Sequence, residues 1–166
     1  GFGRDKGDEG MINSFRWGLD NKIHFSTGID GGNVTLAADK EKKVYNTKGR
    51  GVILDPETRT IELTTGGGQH GMSLGNWNRE FVCANSIPMQ VLMYDDRYIA
   101  RNPYLAPPAA PVSIAPGGKF TKLLRISQVE PWRVLRSRIR AASERGDYEK
   151  GQPSGFFTAA TGITVY

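Results

Sequence analysis

The sequence predicts an all-β fold, and three observations carry that class. Twenty-one glycines and nine prolines in 166 residues, without a collagen period, mark a turn-rich chain. Runs of alternating apolar and polar residues recur with turn signals about every 8 to 12 residues. No run approaches the roughly 18 apolar residues that a spanning helix needs. Hydrophobic residues at 38% still suffice, at this length, for one domain with a real core.

The elements follow in order. Gly1 to Gly10 is glycine-rich and charged and reads as a loop. Ile12–Trp17 and Lys22–Thr27 alternate as two strands, and Gly18-Leu19-Asp20-Asn21 between them is turn chemistry. Val34 to Ala37 extends back as a third strand, and Lys40 to Lys43 is a charged loop. Gly51–Leu54 and Arg59–Thr64 form a second hairpin about Asp55-Pro56-Glu57-Thr58, where proline's fixed φ suits the turn and Asp accepts a backbone hydrogen bond. A third hairpin pairs Gly71–Leu74 with Glu80–Ala84 about Gly75-Asn76-Trp77-Asn78. Met89–Met93 is a further strand.

Tyr98 to Pro116 carries five prolines and reads as a decorated loop. Lys122–Ile126 is a short strand. One helix is expected, Trp132 to Ser143: Pro131 suits its first position, and Val134, Leu135, Ile139 and Ala142 share a face largely opposite Arg133, Arg136 and Arg140. Ser154–Tyr166 resumes as strand.

Sandwich, barrel and propeller all fit such a pattern. The two junctions Trp17-Gly18-Leu19-Asp20-Asn21 and Ser73-Leu74-Gly75-Asn76-Trp77-Asn78 stand about 56 residues apart, the length of one four-stranded blade with its loops, which favours a propeller. The expectation is a partial β-propeller with one short helix near 132–143, residues 1–166 being part of a single domain. The start at Gly-Phe-Gly, without initiator Met or apolar leader, and the stop on a strand-like run lead us to expect truncation at both ends.

The net charge of +5 invites a nucleic-acid reading, but its distribution argues against one. Residues 119–145 hold eight of the 22 basic and two of the 17 acidic residues. The rest of the chain nearly cancels. A basic helix of this kind is usually a solvated face rather than a nucleic-acid or membrane contact, and it lacks the interleaved stacking aromatics of a nucleic-acid groove. Cys83 is the single cysteine, so an intrachain disulfide, a CxxC knuckle and a CxxCH haem site are excluded within these residues. Burial, not reactivity, is its expected state.

The runs NSFRWGLDNKIH, GQHGMSLGNWNREFVCANS, DRYIARNPYL, EPWRV and GFFTAATGITVY resemble, in form and order, a family of large secreted proteins. These are the so-called membrane-bound dehydrogenase-domain proteins, similar to the quinoprotein glucose/sorbosone dehydrogenases. The resemblance covers nearly the whole chain. It implies a six-bladed propeller, of which this chain holds two to three blades, in a periplasmic or secreted protein. It also implies sugar or alcohol oxidation with pyrroloquinoline quinone (PQQ) and calcium, and electron transfer to a c-type cytochrome module. The family's base, a histidine just before the opening hairpin, aligns with Gly10 or Met11 here. The following Asn is kept as Asn13, the histidine is missing, and Glu9 could in principle serve in its place.

Candidate residues remain two-sided. His70, after Gly66-Gly67-Gly68 and before a strand, could be a base or ligand, or a surface-loop histidine. With Asn13 it forms the candidate catalytic pair. Arg101 and Asn102 form the candidate cofactor-binding pair, since an arginine reaches anionic groups; the bland reading is an arginine fixing its own proline-rich loop. His24 is expected to face solvent or pack between blades. Asp30-Gly31-Gly32-Asn33 lacks the acidic periodicity of a calcium loop, so no metal ligand is assigned. Asp95-Asp96-Arg97 suggests local ion pairs on a strand, and Gly66-Gly67-Gly68 lacks the Lys-Ser/Thr of a phosphate loop. Trp17 and Trp77 read as packing aromatics, and Trp132 as an anchor for the helix. The alternative to an enzyme is a non-catalytic propeller scaffold that binds carbohydrate or protein through its loops.

Overall fold

The computed structural model describes residues 11–119, 121–124, 126–142, 157 and 159–166. The opening loop with Glu9 and Gly10, Ser143 at the helix end, and residues 154–156 and 158 of the last expected strand lie outside the described residues. The fold is mostly antiparallel sheet. β1 (Asn13–Trp17), β2 (Ile23–Ser26), β5 (Arg50–Asp55) and β6 (Thr60–Thr65) form one four-stranded sheet in that order. β7 (Met72–Leu74), β8 (Glu80–Ala84), β9 (Ile87–Leu92) and β10 (Pro111–Ser113) form a second, also in chain order. Each is a meander in which every strand pairs with its predecessor. A two-stranded ribbon, β3 (Asn33–Val34) and β4 (Tyr45–Asn46), is inserted between β2 and β5.

Turn chemistry explains the hairpins. Asp55 Oδ1 accepts the N–H groups of Glu57 and Thr58, both at 3.0 Å. At the first turn Gly18 N–H donates to Lys22 O and Asn21 N–H to Gly18 O, with Asn21 at φ 57°. At the third, Gly75 N–H donates to Arg79 O and Asn78 N–H to Gly75 O, with Asn78 at φ 58°. Asparagine tolerates this left-handed geometry, so both sheets open on one and the same turn. The two turns also meet: Leu19 N–H donates to Asn78 Oδ1, 3.2 Å.

β1 carries a bulge. Its register with β2 shifts between Asn13 and Arg16, Ser14 takes φ 61°, and Phe15 stacks on Phe25 with centroids 5.0 Å apart. In β5, Gly51, Val52 and Ile53 are buried in succession, so both faces of that strand are covered. The densest cluster is Met72, Val82 and Leu92, with Leu74 against it.

Several expectations need correction. Val34 does not extend back onto the hairpin. Asp39 accepts the N–H groups of Glu41 and Lys43, the chain folds over on itself, and Val34 pairs with Tyr45. The proline-rich stretch contains β10, which pairs with β9 as an edge strand starting at Pro111, a place where a missing N–H costs no ladder bond. Asp95 does not stand on a strand but caps a short helix, α1 (Asp96–Ile99), by accepting Arg97 N–H. Around Lys122, the described residues show no strand longer than a bridge. Trp17 and Trp77 are 66% and 91% exposed, so neither packs a sheet. The expected helix is present as α2 (Pro131–Ala142).

The described part of the final segment forms no regular strand, yet it is tied down. Gly162 N–H donates to His70 O (2.9 Å), Ala160 N–H to Asn85 O (3.2 Å) and Val165 N–H to Ser73 Oγ (3.3 Å). Residues 159–165 therefore run beside β7. A Cβ on Gly71 would meet Cys83 Sγ at 2.6 Å and Gly162 N at 2.9 Å, so glycine is what lets the segment approach.

Burial sets two expected outcomes. Met72→Ala removes a side chain that is 1% exposed and costs about 2–5 kcal/mol in urea unfolding, whereas Met89→Ala, at 39% exposure, costs under about 1 kcal/mol. Equal midpoints for the two variants contradict the placement of this core.

Candidate functional site

Asn13 and His70 share one rim. Asn13 opens β1, and its Nδ2 donates to Gln69 O at 2.9 Å and Met11 O at 3.0 Å, while its Oδ1 accepts from Ser14 Oγ. Both amide hydrogens are thus engaged with carbonyls, one of them belonging to the residue before His70. Gln69 is itself fixed: its N–H donates to Cys83 O, and its Oε1 accepts Asn85 N–H. His70 is half-buried, with its backbone carbonyl holding Gly162. Asn13 acts here as a tie between β1 and the link into β7, one residue before His70.

Arg101 and Asn102 are placed elsewhere. β9 runs from Ile87, beside Ala84, to Leu92, beside Pro111, so the loop after it leaves the sheet at the β7–β8 turn. His70 precedes β7 at the other end. Arg101 is exposed and lies over the Tyr98 ring, 5.2 Å from its centroid. Asn102 Oδ1 accepts Tyr104 N–H, and its own N–H donates to Ile99 O. The structure ties Asn13 to the backbone one residue before His70, and the loop carrying Arg101 and Asn102 starts and ends at the opposite end of the second sheet. Among the described residues, no group of three His, Cys, Asp or Glu could hold a metal ion.

Two polar constellations escaped the sequence reading. His24 is buried, and its Nε2 lies 3.0 and 3.1 Å from the two carboxylate oxygens of Asp20. A Cβ on Gly18 would collide with Asp20 Oδ1 and stand 2.6 Å from the His24 ring, so the pair closes the first turn beneath a glycine. Burial pushes the Asp20 carboxyl up, but the His24 bond and charge and the Lys22 N–H outweigh it and hold the group below its usual range. An Asp four residues before a strand histidine, across a glycine turn, was the available signal.

Glu80 opens β8 and leans on β5, its Oε1 3.8 Å from where a Cβ on Gly51 would stand. Burial, and then the charge of Asp95, push its pKa up to about 8. Around it, Arg97 pairs with Asp95 at 3.0 Å, and Arg50 at the start of β5 pairs with Asp96. Asp96 N–H also donates to Thr65 Oγ1, 2.6 Å. The local pair expected at Asp95-Asp96-Arg97 is present between Asp95 and Arg97, while Asp96 pairs instead with Arg50 and joins α1 to the other sheet. Separately, Lys43, Tyr45, Ile61 and Leu63 help line an open groove of about 400 Å³ between the ribbon and β6.

The family model described as a domain of unknown function (DUF7133) matches residues 1–166. The chain belongs to this family. No curated protein and no solved structure matches it. DUF7133 thus joins, in this member, two meanders, a rim carrying Asn13 and His70, and, at the seam between the sheets, a Glu80 whose pKa burial and Asp95 push up.

Glu80 gives a pH prediction with a definite sign. A carboxyl raised from 4.5 to about 8 binds its proton more tightly when folded, so stability is lost as pH rises through that window. The slope from this one group is at most about 1.4 kcal/mol per pH unit. Thermal unfolding at several pH values is expected to show Glu80→Gln more stable than wild type at pH 8 and equal to it near pH 4. Superimposed profiles would contradict a buried, protonated Glu80.

Proposed function

We propose that this chain forms two consecutive blades, and the inner segment of a third, in a β-propeller of the quinoprotein dehydrogenase-like class. In a longer exported protein, its rim borders a site that oxidises a sugar or alcohol and passes electrons to a c-type cytochrome. One observation carries this reading: β1, β7 and residues 159–165 lie in a row, joined at the same rim by Asn13 to Gln69 and by Gly162 to His70. Inner strands side by side, each opening a four-stranded meander, are what a propeller requires. The repeated turn at Gly18 and Gly75 supports a repeated unit.

Within this reading the chain is a wall of the site. His70 takes the proton of the substrate hydroxyl, a role suited to an imidazole at neutral pH. Asn13 positions the Gln69–His70 link. A bound quinone would supply the electron-accepting chemistry, and partners for its carboxylates would come from other blades, since the loop that carries Arg101 and Asn102 starts and ends at the opposite end of the second sheet from His70. The engaged amide of Asn13 and the missing histidine before it favour a second reading, a non-catalytic propeller scaffold that binds carbohydrate or protein through its loops.

The full-length parent, supplied with PQQ and calcium and assayed by dye reduction across sugars and alcohols, separates the two. The dehydrogenase reading expects turnover with at least one substrate, and a fall of about a hundredfold in His70→Ala with an unchanged melting temperature. Dye reduction with no sugar and no alcohol overturns it, and retention on a polysaccharide column without turnover favours the scaffold.

A further inference from the structure

α2 exposes most of its apolar side chains as fully as its charged ones. Trp132, Leu135 and Ile139 share one face at helical spacing, and they are 53%, 60% and 61% exposed. Val134, expected on the face of Leu135 and Ile139, stands on another side with Ser137, and these two are the half-buried positions among the described side chains of the helix. A surface helix of a globular domain ordinarily buries its apolar stripe and exposes its charges. Here the stripe itself faces solvent, and among the described residues nothing covers it. Leu124 and Ile126, shortly before the helix, are 91% and 96% exposed.

The charges around the stripe are cationic. At 3.6 residues per turn, Arg136 borders the stripe on one flank and Arg138 on the other, with Arg133 further round on the Arg136 side. Arg133 pairs with Glu130 at 3.0 Å and lies over the Trp132 ring at 4.9 Å. Arg136 and Arg138 are exposed, with no ion-pair partner among the described residues. Residues 119–145 as a whole carry eight basic and two acidic groups.

This combination selects the partner. A nucleic acid would engage the arginines, but gives no reason to expose Leu135, Ile139, Leu124 and Ile126. A purely apolar protein groove would take the stripe, but gives no reason for arginines on both of its borders. An anionic bilayer surface accepts both: the stripe enters the boundary of the acyl chains, the arginines reach lipid phosphates on either side, and Trp132 sits at headgroup level. No helix of the described residues is long and apolar enough to cross a membrane, so the contact is in the surface plane. We infer that α2 is a membrane-surface element that docks this protein flat on an anionic bilayer. The inference is independent of the propeller reading.

Co-sedimentation of the whole chain with vesicles tests it. The chain is expected to pellet with vesicles of phosphatidylcholine and phosphatidylglycerol, and to stay in the supernatant with phosphatidylcholine alone. Leu135→Gln combined with Ile139→Gln lowers the partition about tenfold, and so does Arg136→Gln combined with Arg138→Gln, the latter loss being mimicked by raising salt. Because these side chains are exposed, circular dichroism and the melting temperature stay at wild-type values. Absence from the anionic pellet overturns the inference, as does anionic binding that survives the Leu135/Ile139 pair. DNA binding that survives that pair, without lipid binding, assigns the arginines to nucleic acid. A dimer dissociated by that pair assigns the stripe to a second copy, and either result also overturns the inference.

Discussion

The joint between the two sheets is a stretch of backbone without side chains. After β6 the chain passes through Gly66, Gly67 and Gly68, and a Cβ on Gly66 would collide with the backbone of Arg50 and Gly51. Ser26, buried at the end of β2, donates its hydroxyl to Gly68 O. The link is thereby pinned against the end of the first sheet, and β7 has to start beside β1. Everything that ties the sheets follows from that start: Asn13 reaches Gln69, Leu19 reaches Asn78, and Glu80 comes to rest on Gly51. Residues 159–165 repeat the arrangement on the other side of β7, where Gly71 gives the same freedom of approach.

What was legible in the sequence is what local chemistry decides. The turns at Gly18, Asp55 and Gly75 were readable because each is closed by its own residues, through an Asx oxygen or an Asn in the left-handed region. The strands flanking them followed, and so did α2. The failures share a cause in long-range contacts. α1 is four residues long, and it is held to the first sheet by Arg50 and Thr65. β10 lies in a proline-rich stretch and exists because β9 offers it an edge. Trp17 and Trp77 looked like packing residues by type, yet the turns carry them outward.

The candidate site divides in the same way. Asn13 and His70 were legible as residues, but the tie from Asn13 to the backbone just before His70 depends on the glycine link. Arg101 and Asn102 were legible as a polar pair, and the direction of β9 sends them to the opposite end of their sheet. Glu80 was invisible, because its raised pKa comes from burial against another sheet and from Asp95, which arrives from the loop after β9. Strand-starting glutamates ordinarily face water. The chain thus carries one rim with Asn13 and His70, a seam holding Glu80, and a cationic helix whose Trp132, Leu135 and Ile139 are exposed.

The row formed by β1, β7 and residues 159–165 is the central claim, and amide hydrogen exchange tests it most directly. The amides of Ala159, Ala160 and Gly162 accept the protection that Asn85 Oδ1, Asn85 O and His70 O provide, so they are expected to exchange slowly, as Gln69 and Cys83 do. Asn85→Ala should release Ala159 selectively. Exchange of residues 159–165 at free-peptide rates, while the strands of both sheets stay protected, would contradict the row and the propeller reading built on it.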